Sequence, residues 1–163
     1  MLLALAGGAS SADQPALPLQ SVPERKPAPG FELKDATSKT VRLTDYRGKV
    51  VLLDFWATWC MGYKREISWF SEFQKKYGPQ GFAVVGVSLD EDGWKALTPF
   101  LASTKVGCQM LLGDEITAQQ FKIRNLPDTF LIDQEGKVAA AYLEQLVDRD
   151  TVEAYIQTLL AKH

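Results

Sequence analysis

Histidine and cysteine are both scarce in this sequence. The single histidine is His163, the last residue, and the two cysteines are Cys60 and Cys108. A histidine general base and a histidine-rich metal site are therefore excluded. Two cysteines do not indicate a disulfide framework. We expect no metal and no other cofactor.

The chain also lacks a strong charge of either sign and any long apolar run. Its 18 Lys and Arg residues nearly balance 20 Asp and Glu residues, for a net charge of −2. This balance argues against nucleic acid or an anionic membrane surface as the main partner, and no stretch is long enough to cross a bilayer. A length of 163 residues with 46% hydrophobic content predicts one domain whose core needs no covalent staple.

The N-terminal region has some features of an export signal. Residues 1–6 are apolar and residues 9–12 are small, but no lysine or arginine precedes them. Residues 9–29 are rich in Ser, Ala and Pro without periodicity, which indicates an extended linker. We predict a signal remnant or flexible linker over residues 1–30 and a folded domain over residues 31–163. A plain flexible tail is the alternative for the first residues.

Strand and helix patterns alternate from Phe31 onward. The apolar run over residues 50–57 is typical of a central strand buried on both faces. Residues at helical spacing then predict a helix that begins near Cys60. The remaining pattern predicts a hairpin over residues 31–44, strands over 82–89, 109–112, 129–132 and 138–143, and helices over 92–105, 116–123 and 151–161. This order predicts an α/β fold with a central sheet flanked by helices.

Cys60 stands where the central strand passes into the following helix. A thiol at a helix N-terminus faces unpaired N–H groups and the positive end of the helix dipole, which favour the thiolate. With Lys64 nearby, we predict that the thiolate population of Cys60 exceeds that of a free cysteine. The alternative is a buried structural cysteine.

Three segments resemble the thioredoxin-like proteins of the TlpA/ResA type, which are related to the AhpC/TSA redoxins. Residues 48–60 (GKVVLLDFWATWC) resemble the approach to their active site, and residues 126–133 (LPDTFLID) resemble the segment with their cis-proline. Residues 43–49 (LTDYRGK) resemble the end of their extra N-terminal hairpin. The resemblance covers the chain from Phe31 to its end. It implies a thioredoxin fold with a central mixed β-sheet and an added N-terminal β-hairpin.

One departure from this family concerns its second active-site cysteine. The family has Cys-x-x-Cys followed by a basic residue, whereas residues 60–64 here read Cys-Met-Gly-Tyr-Lys. In such a dithiol the first sulfur attacks a disulfide and the second resolves the mixed disulfide. With Tyr63 in that place, Cys60 can capture a partner but cannot release it. We expect Tyr63 to point inward and Cys108 to lie well away from the helix start, without a redox role.

Two acids are further candidates for catalysis. Asp54 lies within the apolar strand, where a carboxylate is costly unless it is paired or has a task, and desolvation should raise its pKa. By resemblance it matches the buried acid that moves protons to and from the resolving cysteine; a structural remnant is the alternative. Glu66 corresponds to the family's glutamate that tunes the thiols, with an exposed helix carboxylate as the alternative.

The resemblance also implies a substrate-binding surface formed by Trp59, Leu126 and Pro127. Leu126–Pro127 should be a cis peptide bond lying against Cys60 and presenting backbone to an incoming substrate strand. Asp128 next to this bond should oppose thiolate formation.

These residues predict a thiol–disulfide oxidoreductase or isomerase that acts through Cys60 and is monothiol or impaired because of Tyr63. The implied partners are protein or peptide thiols and disulfides and an upstream dithiol electron donor. The implied location is extracytoplasmic, in a bacterial periplasm, with the cytoplasm as the alternative.

Two other functions stay open. One is a redox-silent thioredoxin-fold module that binds peptides on the surface between Trp59 and Pro127. The other is a thiol peroxidase, which ranks third because peroxiredoxins require a threonine where Ala57 stands, and Thr58 comes one residue late.

Overall fold

A computed structural model describes residues 18–161, which form an α/β domain with one mixed sheet. The strands in this part of the chain are β1 Lys26–Pro27, β2 Glu32–Lys34, β3 Thr40–Arg42, β4 Val50–Trp56, β5 Phe82–Ser88, β6 Gln109–Leu112, β7 Asp128–Ile132 and β8 Lys137–Tyr142. The helices are α1 Tyr63–Tyr77, α2 Trp94–Thr104, α3 Glu115–Gln120 and α4 Arg149–Leu160. Short 3-10 helices cover Val22–Glu24, Leu43–Tyr46 and Gly78–Gln80. The predicted fold class, including the N-terminal hairpin of β2 and β3, is confirmed.

The sheet has the order β1-β8-β7-β4-β5-β6-β2-β3. Strands β4, β5 and β6 run parallel, and β7 pairs antiparallel with β4. Strand β4 lies in the middle and every one of its residues is buried. This position explains its continuous apolar run, because a central strand is covered on both faces.

Alternating side chains of β4 serve two separate cores. Val50, Leu52 and Trp56 point to the face covered by α1, α2 and α4, whereas Leu53 and Phe55 point to the face covered by the hairpin and the end of α3. Since neighbouring residues of a strand point to opposite faces, the side chain at position 54 must enter the α1 face. The buried face of α1 is the predicted stripe of Tyr63, Ile67, Phe70, Phe73 and Tyr77.

The folded domain begins earlier than residue 31, so the predicted linker boundary is wrong. Strand β1 pairs with β8 and forms one edge of the sheet, and Gln20 N–H donates to the Ala139 carbonyl over 2.8 Å. Arg25 forms a buried ion pair with Asp133, with 3.1 Å between Nη1 and Oδ2. A two-residue edge strand held by backbone hydrogen bonds leaves no periodic side-chain pattern, which is why the sequence did not indicate it. The proposed signal remnant lies largely outside the described residues. Within residues 18–161 no helix has the length and apolarity to span a membrane.

Candidate active site

Cys60 lies in the turn between the end of β4 and the start of α1. Its N–H donates to the carbonyl of Ala57 over 3.0 Å, and its side chain is half-buried. The residues on either side of it are the most exposed apolar groups of the turn, Trp59 at 68% and Met61 at 91%. A large partner can therefore reach the thiol.

Asp90, which is not among the residues singled out from the sequence, holds this turn in place. Its carboxylate accepts hydrogen bonds from the Thr58 N–H at 3.0 Å, the Thr58 hydroxyl at 2.6 Å and the Ser88 hydroxyl at 2.7 Å. Asp90 lies two residues beyond the end of β5, the parallel neighbour of β4. The carboxyl ends of parallel strands share one edge of a sheet, and this is the signal that could have located it.

Helix α1 begins at Tyr63 rather than near Cys60, so the predicted start is too early. Gly62 is the residue before the helix and has a φ of 83°, a conformation that favours glycine. A side-chain carbon at this position would also lie 2.8 Å from Leu146 Cδ1. Cys60 is therefore separated from the first helical N–H groups by the Met61–Gly62 turn.

The pKa of Cys60 is raised, opposite to the direction predicted from its place before the helix. Burial raises this pKa most, a hydrogen bond with the Ala57 backbone offsets part of the effect, and the charges of Asp54, Asp90 and Glu66 raise it further. Nearby carboxylates disfavour a second negative charge. Lys64, the cation that was expected to favour the thiolate, is not among the groups that change this pKa; its ammonium lies 5.9 Å from the centroid of the Phe100 ring.

Tyr63 points inward, as predicted, and fills the space behind Cys60. Its side chain is only 1% exposed. Its ring stacks on Trp56 with 4.0 Å between centroids and 9° between planes, and Phe100 packs at 6.3 Å. The first residue of α1 thus places an aromatic ring in a closely packed stack.

Burial raises the pKa of the Tyr63 hydroxyl well above its ordinary value, and the nearby Asp54, Cys108 and Glu66 add to this effect. Tyr63 and Asp54 influence each other's pKa, although neither the Tyr63 hydroxyl nor Asp54 Oδ2 forms a regular hydrogen bond. Cys108 precedes β6, level with the middle of β4 by register. That Cys108 lies away from the helix start and has no redox role therefore stays a prediction. Burial raises the pKa of Cys108 to about 12, which makes it an unreactive thiol.

Asp54 is fully buried on the α1 face, and its Oδ1 accepts a hydrogen bond from the Thr129 hydroxyl over 2.7 Å. Burial raises its pKa well above the ordinary value, and the charge of Glu66 adds to this effect. The predicted direction is confirmed.

Glu66 is also buried rather than exposed, despite its place on α1. Its Oε1 accepts the Val147 N–H over 2.6 Å, whereas its Oε2 has no partner. Burial raises the pKa of Glu66 to about 7. Asp54 and Glu66 thus lie close enough to interact with each other and with Cys60.

Leu126–Pro127 is a cis peptide bond, as predicted. Strands β4 and β7 pair Phe55 with Asp128, so Pro127 is next in line toward Trp56, at the end of β4 that leads to Cys60. Leu126 is half-buried and Pro127 is buried. Asp128 is turned inward, where its Oδ1 accepts the Glu144 N–H over 2.6 Å, and burial raises its pKa to about 6.

The AhpC/TSA family matches residues 25–141 of the chain. The chain belongs to this family. Among curated relatives, the thiol-disulfide oxidoreductase ResA of Bacillus subtilis is 36% identical over 120 residues, which cover 73% of this chain and 66% of that protein. ResA of Bacillus anthracis is 32% identical over 130 residues, which cover 78% and 72%. The chain therefore spans about two thirds to three quarters of the length of these two relatives.

Solved structures confirm the thioredoxin fold. A candidate thiol:disulfide interchange protein DsbE from Chlorobium tepidum superposes with a TM-score of 0.78 and 32% identity, covering 84% of this chain and 97% of that one. The thioredoxin domain of a thiol-disulfide oxidoreductase from Bacteroides vulgatus superposes with a TM-score of 0.71 and 26% identity, covering 80% and 96%. The predicted membership in the ResA-type thiol–disulfide oxidoreductases is confirmed.

Among the described residues no group of three His, Cys, Asp or Glu side chains could hold a metal ion.

Cys60 should be alkylated by iodoacetamide faster than Cys108 at every pH below about 9. The reason is that burial raises the pKa of Cys108 to about 12, so almost none of it is thiolate in this range. The alkylation rate of Cys60 should keep rising above about pH 8.5, which is the ordinary pKa of a free cysteine, because the pKa of Cys60 is raised. Mass spectrometry of Cys60→Ser and Cys108→Ser measures each site alone. A rate for Cys60 that levels off below pH 8 would contradict the raised pKa.

Glu66 should make the protein less stable as pH rises. A carboxyl whose pKa rises from 4.5 to about 7 on folding costs up to about 3 kcal/mol of unfolding free energy once it is ionised. Urea unfolding should show this loss between pH 4.5 and 7 in the wild type. Glu66→Gln, which keeps an acceptor for Val147, should remove the Glu66 share of this loss and leave the share due to Asp54 and Asp128, whose pKa values burial also raises. Glu72→Gln, at an exposed position of α1, should follow the wild type. Parallel stability curves for wild type and Glu66→Gln would contradict the assignment.

Proposed function

We propose that this protein captures disulfides of proteins or peptides through Cys60 and holds them as mixed disulfides. The observation that carries this proposal is the buried ring of Tyr63, stacked on Trp56 at 4.0 Å where the resolving thiol of the family would stand. The accessible Cys60 turn, with Trp59 68% exposed beside it, supports contact with a large substrate.

The capture step needs only one thiol of this chain. The Cys60 thiolate attacks one sulfur of the substrate disulfide, a new S–S bond forms, and the other substrate sulfur leaves as a thiolate. The raised pKa of Cys60 lowers the thiolate fraction at neutral pH, but a thiolate of higher pKa is the stronger nucleophile. Capture should therefore be slow near pH 7 and faster in alkaline solution.

Release requires a thiol from outside the chain. A second cysteine of the substrate can attack the mixed disulfide, which exchanges one substrate disulfide for another, so the isomerase direction needs no resolving thiol here. An upstream dithiol donor can also reduce the mixed disulfide. We place this exchange outside the cytoplasm, where disulfides persist.

Asp54 has no resolving thiol to serve in this arrangement. Its Oδ1 is bound by Thr129 and its Oδ2 faces the side of Tyr63 without a hydrogen bond. We assign it a role in holding β4 and β7 together, and a proton-transfer role only when a thiol replaces Tyr63. Leu126 and Pro127 are the proposed backbone contact for the substrate strand.

A redox-silent peptide-binding module is the second candidate, and the raised pKa of Cys60 favours it. The two candidates differ in their dependence on sulfur, since peptide binding without chemistry survives Cys60→Ser and capture does not. A thiol peroxidase is not favoured, because Thr58, the nearest threonine to Cys60, donates its hydroxyl to Asp90 over 2.6 Å.

Tyr63→Cys should convert capture into turnover. The new thiol would stand at the first residue of α1, three residues after Cys60, and could resolve the mixed disulfide. Insulin reduction with dithiothreitol should therefore rise by at least about tenfold. Removing the ring should cost about 3–5 kcal/mol of stability, so unfolding is measured in parallel.

Tyr63→Ser is the matched control for this substitution, because it removes the same ring without adding sulfur. It should stay as inactive as the wild type while losing similar stability. Equal turnover by Tyr63→Ser and Tyr63→Cys, or by wild type and Tyr63→Cys, would refute the role given to Tyr63.

A further inference from the structure

Residues 143–147, which connect β8 to α4, form a strap fixed at two points by buried carboxylates. Asp128 Oδ1 accepts the Glu144 N–H and Glu66 Oε1 accepts the Val147 N–H, each over 2.6 Å. Asp128 is 3% exposed and Glu66 is fully buried. Bonds from backbone N–H groups to carboxylates are among the stronger hydrogen bonds in proteins, so the position of the strap depends on these two side chains.

The strap lies beside the turn that carries Cys60. Leu146 approaches Gly62 so closely that a side-chain carbon on Gly62 would lie 2.8 Å from Leu146 Cδ1. Leu143 is 44% exposed and follows Tyr142, which pairs with Thr129 of β7. The strap thus adds apolar side chains at the end of the sheet that leads to the Cys60 turn.

The backbone of the strap is not in a relaxed conformation. Glu144 has a φ of 57°, in the left-handed region that costs a residue other than glycine roughly 1 kcal/mol or more. This conformation persists only if its surroundings hold it, and the bond from the Glu144 N–H to Asp128 is the contact at that residue.

We propose that Asp128 is a positioning residue for substrate capture: it fixes the strap so that Leu143 and Leu146 form one wall of the docking site for an apolar peptide segment next to the attacked disulfide. This proposal rests on the proposed function of Cys60. It differs from the sequence-based expectation for Asp128, which was that its charge opposes the Cys60 thiolate.

The acceptor role and the charge role of Asp128 are separated by two substitutions. Asp128→Asn removes the charge but keeps an oxygen that can accept the Glu144 N–H, whereas Asp128→Ala removes both. Asp35→Ala is the matched control, because Asp35 also accepts backbone N–H groups, those of Thr37 and Lys39, but lies in the hairpin at the other side of the sheet.

The probes are 5,5′-dithiobis(2-nitrobenzoate) and an apolar nonapeptide whose cysteine is linked to 2-nitro-5-thiobenzoate. Both release the same chromophore on attack by Cys60, so the ratio of their second-order rate constants measures docking apart from thiol reactivity. Asp128→Ala should lower the rate with the peptide by roughly tenfold and leave the rate with the small disulfide within about twofold. Asp128→Asn and Asp35→Ala should keep the wild-type ratio.

Several outcomes would overturn the proposal. These are an unchanged ratio in Asp128→Ala, an equal loss with both disulfides, or a loss in Asp128→Asn as large as in Asp128→Ala. If Asp128→Ala does not fold, Leu143→Ser tests the same wall from an exposed position, and an unchanged ratio there counts against it. Failure of the proposed function looks different, because the wild type would then react with neither disulfide.

Discussion

The stacking of Tyr63 on Trp56 connects the central strand to the first helix at the place where a thioredoxin-type dithiol would react. The two rings lie 4.0 Å apart and nearly parallel, with Phe100 completing the cluster. Because this cluster fills the space behind Cys60, the helix start, the Cys60 turn and the buried Asp54 all take their positions around it. In the proposed function, the ring that completes the core also takes the place of the second thiol, so the packing of this protein and the proposed single-thiol chemistry have one cause.

A set of buried acids forms the electrostatic surroundings of Cys60. Asp54, Glu66 and Asp128 each have a raised pKa because of burial, and each accepts a hydrogen bond at one oxygen. Asp90 adds a further carboxylate under the turn. These groups give the site its shape, since they hold β7, the strap and the turn. The charges of Asp54, Asp90 and Glu66 also raise the pKa of Cys60, so the site combines precise positioning with a thiol of low reactivity at neutral pH.

The sequence predicted the parts of the fold whose side chains follow a period, such as β4 and the buried face of α1. It also predicted the inward direction of Tyr63 and, through the resemblance to the TlpA/ResA type, the cis bond before Pro127. Strand β1 was missed because it is held by backbone pairing. The pKa of Cys60 was assigned the wrong direction because helix proximity is local in sequence, whereas burial and the charge of Asp90 arise from packing.

The lifetime of an isolated mixed disulfide at Cys60 tests this account most directly. A peptide with one cysteine is coupled to Cys60 of the wild type and of Tyr63→Cys, freed of other thiols, and followed by mass spectrometry. The wild-type adduct should persist for hours, since no thiol of the folded chain can attack it. The Tyr63→Cys adduct should release the peptide and leave an internal disulfide. Spontaneous release by the wild type at the same rate would contradict the account and would implicate Cys108 as a second reactive thiol.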